Sequence, residues 1–332
     1  MYQNTLFILM NKIPIKFLDI PIIRSCNLSC GGCLTFSDSK KIKGLVNLEE
    51  SHSWLEFWSN HLIPEAVTVF GGEPLLHPNF IEWCQSIRDY WPKSELRINT
   101  NGYYLDRLLE RVGELFTVEL RPQFIVSIQT GHEPYYSIVK NHVESIKQKV
   151  LDVLQQNFPD SKIEWVLWLN EPEIFKEWWR IDIDGHDTNI RITTCEQFRI
   201  PWQAHYQGSE TQLEPFYDYN DVWFKDNHKH CQAKNFINLY KGKIYKCPTV
   251  AVLEHTLQTY CIDEKPSWQP YLNNYKSLDV TATYQEMLQW FDLQQNPENV
   301  CNMCGFSGPN CTNGHINLHE LKKGWKYLMI NT

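Results

Sequence analysis

The chain has 332 residues, a length that suggests about two domains, with 42% hydrophobic and 21% charged residues. That balance excludes a disordered chain and calls for a packed core. A net charge of −8, from 39 acidic and 31 basic residues, argues against a nucleic-acid surface that works through bulk positive potential. No apolar run approaches the roughly 18 residues needed to span a membrane. The Thr5-Leu6-Phe7-Ile8-Leu9-Met10 segment is short and lacks a preceding basic residue, so it fails as a secretory signal. The expectation is a cytoplasmic protein with neither nucleic acid nor membrane as partner.

In chain order, strand patterns fall at Phe17–Ile23, Ala66–Phe70, Glu95–Thr100, Phe124–Thr130, Lys162–Asn170 and Asn189–Thr193. They alternate with helical patterns, the signature of a parallel α/β layout. Pro21 lies inside the first strand and cannot donate to a ladder, which fits an open six-stranded barrel better than a closed one. The first helix is capped by Asn47, with Glu50 three residues on and an apolar stripe of Leu48, Trp54, Leu55, Trp58 and Leu62. A later helix carries Val139, Val143, Ile146, Val150 and Leu154 at spacings of three and four.

From Glu196 to His230 the periodicity is lost and aromatic residues crowd in, which reads as a domain junction. The boundary is set near residue 215, giving domains 1–215 and 216–332. Asn235–Tyr240 and Lys243–Cys247 flank Lys241-Gly242, a two-residue hairpin loop. A helical pattern follows near Thr281–Leu293. The C-terminal third is therefore a small α+β domain that bears cysteines.

There are 11 cysteines, an odd number, so they cannot all pair as intramolecular disulfides. Cys26, Cys30 and Cys33 share one short loop. Three thiolates there suit three irons of a [4Fe–4S] cubane and leave the fourth iron open. A zinc site completed by a distant ligand is the alternative. The strands that follow end in further unusual loops: Gly71-Gly72-Glu73-Pro74, Asn99-Thr100-Asn101-Gly102 and Ser127-Ile128-Gln129-Thr130-Gly131. In a parallel barrel these lie at one end, where such folds place their active sites, so one shared pocket is expected. A zinc module gives no reason for that coincidence.

The Cys-x3-Cys-x2-Cys loop, followed by Gly-Gly-Glu-Pro and Thr-Asn-Gly, resembles the radical S-adenosylmethionine (radical SAM) superfamily across roughly the first 200 residues. The resemblance implies a partial (β/α)6 TIM-type barrel. It also implies that the open iron chelates SAM, which is cleaved reductively to methionine and a 5′-deoxyadenosyl radical that abstracts a substrate hydrogen. By the same resemblance Gly71, Gly72 and Glu73, in the motif closed by Pro74, contact the methionine amino group. Asn101, Ser127 and Gln129 are implied ribose or carboxylate contacts. Many family members carry an aromatic residue just before the third cysteine; this chain has Gly32 there, and Phe36 is the expected substitute.

A second set comprises Cys231, Cys247, Cys301 and Cys304, with Cys311 as an alternative to Cys304. Four thiolates satisfy either a complete cubane or a zinc ribbon. The pattern resembles the twitch or SPASM extension of radical SAM enzymes, which implies an auxiliary [4Fe–4S] cluster, an oxidoreductase and an external electron donor such as flavodoxin or ferredoxin. Cys84, Cys195 and Cys261 read as packing residues, as do most tryptophans and histidines.

The leading expectation is a two-electron oxidation or cross-link of a peptide or protein, aided by the auxiliary cluster. The segment before the first strand is too short for a fused leader-recognition domain, so a peptide would need a separate recognition partner. The alternative is a small-molecule dehydrogenase acting on a polyol, aminocyclitol or glycan precursor. A zinc-stapled binding protein would explain the cysteines and leave Gly71–Pro74 and Asn101-Gly102 unexplained.

Overall fold

The computed structural model describes residues 12–30, 33–39, 41–197, 205–231 and 235–305. In chain order the elements are β1 (Ile13–Ile23), α1 (Leu48–His61), β2 (Leu62–Gly71), α2 (Phe80–Tyr90), β3 (Glu95–Thr100) and the single turn α3 (Val112–Leu115). Then come β4 (Pro122–Ile128), α4 (Tyr135–Asn157), β5 (Ile163–Glu171), β6 (Lys176–Ile183) and β7 (His186–Glu196). The last are α5 (Phe224–His230), β8 (Phe236–Tyr240), β9 (Lys243–Tyr245), α6 (Pro248–Thr259), α7 (Gln269–Asn274) and α8 (Tyr284–Gln294). The chain falls into two compact units that do not follow sequence order: Met1–Pro64 with Pro201–Thr332, and Glu65–Ile200.

In the Glu65–Ile200 unit, β2, β3, β4 and β7 pair in parallel in that order. Along β3, Leu96, Ile98 and Thr100 are buried while Glu95, Arg97 and Asn99 are half-exposed, the alternation of a strand with one core face. Helix α4 buries the whole expected stripe, Val139 to Leu154. Each such side chain contributes about 1.5–3 kcal/mol when fully removed from water. The parallel-rich α/β sheet is the expected fold class, and it stays open: β5 takes only β6 as partner among the described residues.

All six expected strands form, and a seventh joins them. β6 carries Trp178 and Trp179 and pairs antiparallel with both β5 and β7. The regular strand–helix alternation therefore ends after α4, and a meander completes the unit. Its β6–β7 turn is Asp184-Gly185, with φ of 51° and 82°, the positive pair a two-residue hairpin requires.

In the other unit, β1 pairs in parallel with β8 through Phe17–Asp19, stopping short of Pro21, and β8 pairs antiparallel with β9. The expected hairpin loop has φ of 48° at Lys241 and 82° at Gly242. Asn47 caps α1, its Oδ1 accepting from the amides of Glu49 and Glu50 at 2.9 and 3.4 Å. Trp58 of α1 is fully buried and donates its indole N–H to the Gly242 carbonyl at 2.9 Å. A full capping box at Thr283 and Glu286 starts α8. Among the described residues no helix is long and apolar enough to cross a membrane.

Gly242 meets two demands: its φ is left-handed, and an added Cβ would sit 3.4 Å from the Trp54 ring. Gly242→Val is expected to cost about 1–3 kcal/mol in urea unfolding, mostly as backbone strain. Gly185→Ala, where nothing lies within 4 Å of the added Cβ, should incur only the backbone part of that cost.

Candidate functional site

The loops after β2, β3 and β4 share one end of the parallel sheet in the Glu65–Ile200 unit, and hydrogen bonds tie them together. Glu73 is wholly buried. Its Oε1 accepts from the Leu75 amide at 3.1 Å and the Thr100 hydroxyl at 2.7 Å. Its Oε2 accepts from the Asn101 amide at 2.7 Å. The carboxylate thus clamps the end of β2 to the end of β3. Burial raises its pKa to about 7, although all three donors favour the ionised form. Pro74 opens the following 3₁₀ turn, where its fixed φ is already suited and its missing N–H is no loss. Gly71 and Gly72 are half-buried, Gly71 with a φ of 141°.

Asn101 is buried, and its carbonyl accepts from the Tyr135 hydroxyl at 2.7 Å. That hydroxyl also accepts from the Gln129 amide at 3.4 Å, linking the β3 and β4 loops through the first residue of α4. Gly102 permits this closure: its φ is 79°, and a Cβ would stand 2.7 Å from both Val126 and Val139. Ser127 and Gln129 are half-buried, and Ile128 between them is buried, so the pair shares a face as expected. Tyr135 went unnoticed in the sequence; only its place at the start of a helix distinguished it.

In the other unit, the loop after β1 carries Cys26, Cys30 and Cys33, all half-buried. The Cys30 thiol is pushed up first by burial, then by Cys26 and Cys33, so both neighbours act on it. Segments distant in sequence hold this loop. Arg24, 1% exposed, donates through Nη2 to the Thr35 carbonyl at 3.0 Å and the Thr256 hydroxyl of α6 at 2.8 Å. Tyr206 donates its hydroxyl to the Cys33 carbonyl at 3.1 Å, and Thr249 donates to the Leu34 carbonyl at 3.0 Å. Phe36, the expected adenine contact, is 1% exposed, with a φ of 53° and its ring stacked on Tyr206 at 4.2 Å. It is packed as a wedge under the loop and has no open face.

Cys231, Cys247, Cys301 and Cys304 line one cavity of about 30 Å³ in the same unit. Cys247 precedes α6, and Cys301 and Cys304 sit on one 3₁₀ turn. Asn227 donates to the carbonyls of Cys301 and Cys304 at 3.2 and 2.7 Å, holding that turn. Burial is the main cause that raises the thiol pKa values, to about 12 at Cys247 and about 11 at Cys301. Cys304 is also raised, by burial and then by Cys247, Cys231 and Cys301. Two residues absent from the sequence reading stand here. His205 lies 3.3 Å from the Cys304 sulfur, its pKa lowered to about 3 by burial, and Lys246 adjoins Cys247. Cys311 lies outside the described residues.

Both sets fit thiolate chemistry. A buried thiol that resists ionisation in isolation gives up its proton once a metal stands beside it. Among the described residues no group of three or more His, Cys, Asp or Glu side chains converges as one metal ion requires. A cubane asks for something wider, one thiolate on each iron.

Parallel strands carry their motif loops at one end in the Glu65–Ile200 unit, and three half-buried cysteines share one loop in the other unit. Residues 20–177 match the family described as the Radical SAM superfamily, and the chain carries a domain of that superfamily. A GTP 3′,8-cyclase of Microcystis aeruginosa is 35% identical over 108 residues, 32% of each chain. One from Aquifex aeolicus is 27% identical over 165 residues, 45% of this chain and 51% of that one. The matches thus span about a third to a half of these curated relatives. A crystal structure titled BtrN in complex with AdoMet and 2-DOIA aligns over 89% of this chain and 94% of its own. It is 12% identical with a TM-score of 0.48, too loose a likeness to carry an argument.

Glu73→Ala would strand three donors, each costing about 1–3 kcal/mol when buried unsatisfied. Glu73→Gln isolates the charge. Between its ordinary value of 4.5 and about 7, the folded chain holds a proton that the unfolded chain has released. The stabilisation this gives is complete below that window and lost as pH rises through it. Relative to Glu73→Gln, the wild type should therefore lose about 3 kcal/mol between about pH 5 and about pH 8 in urea unfolding. An unchanged difference would mean that Glu73 stays ionised throughout.

Proposed function

We propose that this chain is a radical SAM oxidoreductase with two [4Fe–4S] clusters, one on Cys26, Cys30 and Cys33 and an auxiliary one on Cys231, Cys247, Cys301 and Cys304. The observation that carries the reading is the three-thiol loop. Both Cys26 and Cys33 act on Cys30 within it, and it lies within the residues that match the superfamily. When bound, the first cluster supplies the electron that cleaves SAM to methionine and a 5′-deoxyadenosyl radical, which removes a substrate hydrogen.

This chain's residues have other tasks. Arg24, Tyr206 and Thr249 fix the backbone of the three-thiol loop through the contacts given above. Because the Glu73 carboxylate is occupied by three donors, the half-buried backbone of Gly71 and Gly72 is the better partner for the methionine ammonium. Asn101, Ser127 and Gln129 are assigned to the ribose or carboxylate, with Pro74 setting the turn after the motif.

For the substrate, the GTP cyclase activity for which the curated relatives are named supports the small-molecule class over the peptide class, across the part they share. A cluster held by Cys231, Cys247, Cys301 and Cys304 would supply an acceptor for the electron left after hydrogen abstraction, which would make the net reaction a two-electron oxidation. A low-potential carrier such as ferredoxin or flavodoxin serves as donor.

Anaerobic reconstitution should give about eight irons with matching sulfide, since each cubane holds four. With dithionite and SAM it should release 5′-deoxyadenosine. Cys30→Ala should abolish that release and halve the iron. Stoichiometric zinc without iron would overturn the reading; about four irons, lost in the Cys26, Cys30 and Cys33 triple variant, would remove the auxiliary cluster alone.

A further inference from the structure

Lys246 lines the four-cysteine cavity with its side chain 5% exposed. Its ammonium donates to the carbonyls of Gln294 and Asn296 at 3.3 and 3.0 Å and to Glu298 Oε1 at 3.2 Å. Two of those three acceptors are neutral, and a neutral donor would satisfy them as well. The third belongs to a carboxylate whose side chain is 28% exposed and reaches water. Glu298 therefore offsets the buried charge only in part. A lysine is a costly choice for a mere staple, because burying its charge is opposed by desolvation. The remaining described lining residues are cysteine, histidine, asparagine and apolar side chains. The lysine's positive charge acts on the sulfurs of both Cys247 and Cys301.

We propose that Lys246 is the positive charge that balances the iron–sulfur cluster of this cavity and sets its reduction potential upward. The proposal rests on the auxiliary-cluster reading above. Four thiolates on a doubly positive core make a dianion, and one electron converts it to a trianion with no bond broken and no proton moved. The ammonium stabilises the trianion more than the dianion, so it favours reduction. Net charge and hydrogen bonds to sulfur are known levers on such potentials. His205 lies at the same cavity, a ring nitrogen 3.3 Å from the Cys304 sulfur.

The test uses the full chain with Cys26, Cys30 and Cys33 replaced by Ala, so that only the auxiliary cluster remains. Midpoints are read by dithionite titration, with electron paramagnetic resonance following the reduced cluster. Lys246→Met should keep its iron and shift the midpoint to more negative values, and Lys246→Arg should restore it. Glu298→Gln keeps an acceptor for Lys246 but removes the opposing charge, and should shift the midpoint the other way. A loaded Lys246→Met with an unmoved midpoint overturns the proposal. If Lys246→Met does not load, an unmoved Glu298→Gln midpoint overturns it instead. Absence of iron from the background chain defeats the auxiliary-cluster reading, a separate outcome.

Discussion

A carboxylate with no exposed surface must find its hydrogen bonds inside the protein, and Glu73 finds all of them at the ends of two neighbouring strands. Thr100 and Asn101 close β3 against the turn that Glu73 and Leu75 begin after β2. The geometry of both loops depends on that charge being where it is. Tyr135 extends the arrangement to β4 by bonding both the Asn101 carbonyl and the Gln129 amide. Gly102 lets the chain pass at a distance no other residue allows. The motif thus has an inward-facing half, the Glu73 carboxylate, that builds the loops, preceded by a half-buried glycine pair.

The cysteine loop after β1 depends on the opposite device, support from residues far along the chain. Arg24 spans to α6, Tyr206 reaches Cys33 across 173 positions, and Thr249 reaches Leu34 across 215. Because α6 begins immediately after Cys247, it links the backbone supporting the first three cysteines to a member of the second set. Strain or unfolding at the four-cysteine cavity would therefore reach the three-cysteine loop through Arg24 and Thr249. The C-terminal segment does more than add a second site; it is part of the scaffold of the first.

What the sequence made legible follows from this difference. Motifs written in consecutive residues were plain: the three cysteines, Gly71–Pro74, the apolar stripe of α4, the Lys241-Gly242 hairpin. Strand β6 had an equally local signal in Asp184-Gly185, but Trp178-Trp179 suggested packing and the alternation that preceded it suggested another helix. Phe36 illustrates a competing force. Family analogy pointed its ring at a ligand, whereas burial against Tyr206 is what the chain uses it for. Tyr135, Tyr206, His205 and Lys246 have no pattern in sequence, because each matters only through a partner that folding brings to it.

The two cysteine sites also differ in how much charge the protein supplies. Beside the first, the charged neighbours of Cys30 are sulfurs and Asp38, all negative, and Asp38 itself is raised to about 6 by burial. Arg24 adds a positive charge that acts on Cys33, its guanidinium held by the Thr35 and Val252 carbonyls and the Thr256 hydroxyl. Beside the second stands Lys246. With Arg24 and Asp38 of opposite sign beside it, the first site is mixed in charge. At the second, the Lys246 charge acts on both Cys247 and Cys301 and is offset in part by the half-exposed Glu298.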